Sequence, residues 1–200
     1  MDKNQLAEDI KFMRRIVERT HRRIDPGAPI MITWGTICMV GMPGTQWLVN
    51  HGMQDWIGRM WIGISAIGFA LTLLFVYQIR KRDLAHGVSS VISEQIGLVW
   101  NILWINGVLW TVLGLYTDPY GGPGFLWAAL YGIGLSMMGI LYSKEWLIAG
   151  IAIFIAIPIA KFALPYSYTI LGVVMGLGCI VPGMIALRRM RQWEAEGAAA

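Results

Sequence analysis

The chain has 200 residues, of which 56% are hydrophobic and only 14% charged, with a mean hydropathy of +0.56; a water-soluble domain has no core able to take up so much apolar surface. The formal charge of +4 does not mark a nucleic-acid partner, because the basic residues sit between apolar stretches and are not gathered on one soluble face. The two cysteines, Cys38 and Cys179, fall inside apolar runs, which implies neither an oxidising compartment nor a metal pair; they read as small packing residues.

Residues 1–25 predict a cytoplasmic amphipathic helix. Leu6, Ile10, Met13, Val17, Thr20 and Ile24 recur at alternating spacings of four and three, which lines them up as one stripe that Phe12 and Ile16 widen. Against the single Glu18, the basic residues Lys11, Arg14, Arg15, Arg19, Arg22 and Arg23 make the second half of this arm basic, and each gains ~1 kcal/mol near anionic lipid. Met13 and Val17, with Arg14, Arg15, Arg19, Arg22 and Arg23, are therefore the candidate residues for docking on lipid or on a partner protein. Asp25-Pro26-Gly27-Ala28-Pro29 should end the helix, since its prolines and glycine bias the backbone away from continuing. So many basic residues before the first apolar run, with no small-residue cleavage site after it, do not read as a cleaved signal.

Six apolar stretches follow, each near the ~20 residues that a helix needs to cross ~30 Å of hydrocarbon. They run from Pro29 to Leu48, Ile57 to Tyr77, Val91 to Tyr116, Phe125 to Tyr142, Trp146 to Ala163 and Tyr166 to Leu187. The expected fold is all-α, a polytopic membrane bundle: a six-helix transmembrane domain over 26–188, then a short cytoplasmic tail over 189–200. With the N-terminus inside, fourteen of the 16 Lys and Arg residues fall on the cytoplasmic side, and only Arg59 and Lys161 fall outside. Both chain ends are thus expected in the cytoplasm. Trp47, Trp56, Tyr116, Tyr120 and Tyr166 near the outer ends, with Tyr77, Tyr142 and Trp146 near the inner ones, fit the aromatic belts of the two interfaces.

The third stretch is the most polar. Ser90, Glu94, Gly97 and Asn101 share one helical face, expected to point into the bundle, with Asn106 rotated away. Ser90, Glu94, Asn101 and Asn106 are the candidate intramembrane site, either as part of a proton or cation path or as interhelical hydrogen-bond partners. Lys161 reads as a terminal lysine whose ammonium reaches back to the interface. Pro43-Gly44, Pro158 and Pro182-Gly183 predict kinks. Small residues at four-residue spacing (Gly132 and Ser136; Ala152, Ala156 and Ala160; Gly172 and Gly176) predict close helix seams or, as the alternative, a homodimer face. Pro26-Gly27 before Trp34-Gly35 is echoed by Pro123-Gly124 before Tyr131-Gly132, a faint trace of an inverted three-plus-three repeat.

The segment from Glu8 to Thr20, a short linker and a first span containing Trp34-Gly35 resemble the start of a family of uncharacterised bacterial six-span membrane proteins of about this length. The Gly-rich, basic close from Gly172 to Arg191 is similar to that family's last span. The resemblance implies a multi-pass protein of the bacterial inner (plasma) membrane and carries no activity with it.

His21, His51 and His86 are scattered among the arm and two loops, so no pair is placed to hold haem or a metal, and no phosphate-binding loop or nucleophile elbow occurs. The expectation is a protein with no cofactor and no enzymatic role. Its expected work is that of an accessory or regulatory membrane protein docking through its N-terminal helix, with the lipid bilayer, a cytoplasmic or membrane protein, or a second copy as partner. The alternative is a small transporter or channel using the polar face of the third span.

Overall fold

The computed structural model describes residues 27–86, 91–113 and 122–198; the N-terminal arm lies outside them. Among the described residues the fold is all-helical: α1 (Ala28–Asn50), α2 (Asp55–His86), α3 (Val91–Leu113), α4 (Gly122–Leu141), α5 (Lys144–Phe162) and α6 (Ser167–Ala198), with one 3-10 turn, Leu164–Tyr166, before α6. Five of these helices are long and apolar enough to cross a membrane, and α1, at 23 residues, is long enough. The chain is a multi-pass helical membrane bundle.

Helix ends differ from the hydropathy limits in physically sensible ways. Both α2 and α6 reach 32 residues, or ~48 Å, because Arg, Lys, Leu, Ala and Glu continue a helix well where the apolar run stops. The stretch expected as a tail after Arg188 is helical to Ala198. At the start of α4, Pro123 is taken into the first turn, where a missing N–H costs nothing. Pro43, Pro158 and Pro182, where kinks are expected, all lie inside helices that run on through them.

The inner bundle is α1, α4, α5 and α6, and its helices touch backbone to backbone. A Cβ on Gly35 of α1 would stand 2.9 Å from the carbonyl oxygen of Gly176 on α6, and one on Gly176 would stand 2.9 Å from the carbonyl oxygen of Gly35. Gly172 meets Met42 and Cys38, while Gly183 meets Ile32 and Ala28, so α1 and α6 run antiparallel along their lengths and the start of α1 lies beside the far half of α6. Gly139 against Leu147, and Gly150 against Ser136 and the carbonyl of Gly132, close α4 on α5 in the same manner. The predicted stripes of Gly132, Gly172 and Gly176, with Ala156 and Ala160, are buried inside the bundle; Ala152 is exposed. Between these helices Tyr131, Leu135, Trp146, Ile153, Leu171 and Met175 fill the axis. Cys38 and Cys179 are free and buried there, in the same apolar cluster as Tyr131.

The outer helices α2 and α3 attach differently, by tryptophan rings laid over glycines. Trp34 of α1 covers Gly68 of α2, and Trp61 of α2 covers Gly41 of α1; likewise Trp100 of α3 covers Gly134 of α4, and Trp127 of α4 covers Gly107 of α3. At all four glycines a Cβ would come within 2.6 to 3.1 Å of the ring. The residue four positions beyond the glycine often takes the indole proton: Trp34 Nε1 donates to Thr72 Oγ1 (3.0 Å), Trp61 Nε1 to Thr45 Oγ1 (2.9 Å) and Trp100 Nε1 to Met138 Sδ (3.2 Å). Both threonines pass their own proton to the carbonyl of the socket glycine. The sequence basis is a fourfold pattern, Trp-x6-Gly-x3-Thr or Met, beginning at Trp34, Trp61, Trp100 and Trp127. Seven residues are close to two turns, so the ring and the socket share a face and each hairpin is fastened reciprocally.

Candidate functional site

Three neighbouring rings fix how α3 is turned. Trp104 sits 4.5 Å from Trp34, 4.9 Å from Phe69 and 4.8 Å from Trp127, centroid to centroid, and Ile96, Trp100 and Gly107 share its inward side. Close packing rather than hydrophobic burial holds these rings inward, since lipid is as apolar as they are: Trp100 fits against Gly134, and Trp104 among Trp34, Phe69 and Trp127. The described part of the polar face is not directed into the bundle, contrary to the sequence expectation for it: Asn101 is exposed, and among the described residues a Cβ on Gly97 would meet no atom within 4 Å. Asn106 is exposed on another side and donates from Nδ2 to the carbonyl of Ile102 at 3.1 Å. Ser90 and the side chain of Glu94 lie outside the described residues, as do Met13, Arg14, Arg15, Val17, Arg19, Arg22 and Arg23 of the arm.

Asn101 is the chemically telling position. In the apolar stretch Gln95–Leu113 it lies three residues, or ~4.5 Å, from the middle. No hydrogen bond from a described residue reaches its carboxamide. Lipid tails cannot supply one, and an amide moved from water into a solvent without hydrogen-bonding groups loses roughly 4–8 kcal/mol. The side chain offers a donor and an acceptor with no ionisable group, so it is suited to holding a helix in register rather than to acid-base chemistry.

A second polar cluster, not foreseen from the sequence, lies at the end opposite most of the basic residues, the one where Lys161 falls. Gln46 of α1 is buried; its Oε1 accepts the Tyr168 backbone N–H at 3.1 Å, and its Nε2 donates to Asn50 Oδ1 at 3.1 Å. The first turn of α6 has no intrahelical acceptors for its own N–H groups, so Gln46 acts as a cap supplied by another helix. Ser167 Oγ donates to the Ala160 carbonyl at 2.7 Å and joins the same corner to α5. A single Gln inside a span whose other polar residues are mainly threonines was the available signal. At the basic end, Glu145 of α5 accepts a hydrogen bond from Arg189, tying the start of α5 to the extension of α6. Lys161 is exposed in the last turn of α5.

Among the described residues no group of His, Cys, Asp and Glu is placed to hold a metal ion. No family model matches the chain, and neither does any curated protein or solved structure.

Proposed function

We propose that the protein is a non-enzymatic accessory or regulatory membrane protein that docks through its basic N-terminal helix, in a bacterial inner membrane with both chain ends in the cytoplasm. The observation that carries this reading is the filled axis: large side chains occupy the centre of the inner bundle, while Asn101 is turned outward. Among the described residues a conduction path along α3 has no second wall, so the transporter reading gains nothing from this geometry. The fourteen-to-two distribution of basic residues supports the orientation, and antiparallel α1 and α6 are compatible with it.

Docking is tested on the full chain reconstituted into vesicles of neutral or anionic lipid. Trypsin cuts after the arginines that the docked arm should shelter, so the arm is expected to be cut slowly in anionic vesicles and quickly in neutral ones. The paired substitution Met13→Ser and Val17→Ser should abolish the difference. An arm cut equally fast in both membranes, together with ion flux through the vesicles, would overturn the proposal in favour of transport.

A further inference from the structure

The outer side of α3 carries a seam of its own. Leu98, Asn101, Ile105, Val108 and Val112 recur at spacings of three, four, three and four, the heptad rhythm that keeps two helices in contact along one line at a crossing angle near +20°. All five lie on the surface: Leu98 is 61% exposed, Ile105 67% and Val112 77%, with Val108 and Asn101 exposed as well. This seam is separate from the inward side of Ile96, Trp100, Trp104 and Gly107, so among the described residues α3 has one contact line in use and one left over. Beside Asn101, Gly97 leaves open space where a side chain would stand, which lets another backbone come close.

Lipid covers Leu98, Ile105, Val108 and Val112 without difficulty, but not Asn101. Whatever covers that carboxamide must both donate and accept at its depth, and a second carboxamide does both. Two copies inserted in the same orientation have parallel α3 helices. A twofold axis along the membrane normal then brings Asn101 opposite its own counterpart at equal depth, whereas an unrelated partner would need a polar residue at a matching level. A single asparagine in an otherwise apolar heptad seam is a known way of specifying register and oligomeric state.

We propose that the protein forms a parallel homodimer in the membrane along the α3 seam of Leu98, Asn101, Ile105, Val108 and Val112, with paired Asn101 carboxamides setting its register. The dimer stands apart from the docking role of the arm, and its test does not involve the arm.

Single cysteines are introduced into the full chain in native membranes and oxidised, the unsubstituted chain with its two buried thiols serving as the blank. Leu98→Cys, Ile105→Cys, Val108→Cys and Val112→Cys should give disulfide-linked products of twice the chain mass, and Asn106→Cys and Leu113→Cys, off the seam, should give far less. In vesicles, energy transfer between labelled copies on dilution with lipid should show association weakened roughly three- to twentyfold by Asn101→Leu, the range for interhelical hydrogen bonds, and largely kept by Asn101→Gln. Asn101→Leu makes the span more apolar, so failed insertion would not mimic the loss. Cross-linking without preference for the seam, products of another mass, or a dimer indifferent to Asn101→Leu would each overturn the proposal.

Discussion

The inner helices and the outer pair are held by different physics. Of the residues in its apolar stretch, α6 buries 50%, whereas α3 buries 11% and α2 6%. Around α1, α4, α5 and α6, glycines bring backbone against backbone, a contact with no rotamer able to relax it. α2 and α3 are held by the outer edges of tryptophan rings set against glycines and by indole hydrogen bonds, side-chain contacts that tolerate small displacements. Rigidity therefore belongs to the centre and adjustability to the rim.

The strongest way to break that comparison is Gly150→Ala, which would place a Cβ 2.7 Å from the backbone nitrogen of Ser136 and 2.8 Å from the carbonyl oxygen of Gly132. A loss of about 2–3 kcal/mol in denaturant unfolding from mixed micelles is expected, near the upper end of overpacking costs. Trp104→Ala should cost about 1–2 kcal/mol, below the ~3–5 of a fully buried tryptophan, and hydrogen exchange should quicken in α3 but not in α1 or α6. Thr72→Val leaves the Trp34 indole proton without its acceptor at nearly constant shape; ~1 kcal/mol is expected, with a shift in tryptophan fluorescence. Gly63→Ala on α2, where a Cβ meets nothing within 4 Å, should move stability by less than ~0.5 kcal/mol. If Gly63→Ala were as damaging as Gly150→Ala, the division into core and rim would be wrong.

Hydropathy made the six helices legible because crossing a bilayer constrains length and composition together. It served α1 least well, the helix whose Thr45 and Gln46 are buried against protein and bonded there, so that it need not be as apolar as its neighbours. The outward turn of α3 was not legible. A polar face within a span shows that something other than lipid covers it, but not whether the cover is the same chain or another. What turns Asn101 outward is the position of Trp100 and Trp104, whose sockets at Gly134 and among Trp34, Phe69 and Trp127 belong to other helices. The Trp-x6-Gly pattern was present in the sequence throughout; its meaning depends on the antiparallel pairing that sets each ring over the partner's glycine. The echo between Trp34-Gly35 and Tyr131-Gly132 falls on α1 and α4, and both aromatic residues are buried, yet the reciprocal tryptophan pattern groups the helices as α1 with α2 and α3 with α4.

That grouping has a consequence for how the protein is made. Each tryptophan fastening is complete once the second helix of its hairpin has left the ribosome, so α1 with α2 and α3 with α4 are able to close as units during synthesis. The main partner of α1 is α6, the last of the described helices to emerge, and the atoms that crowd Gly35, on Gly176, Cys179 and Ile180, arrive only with it. A chain stalled or truncated before α6 would expose that glycine-lined groove within the bilayer, a form that membrane quality control has reason to recognise.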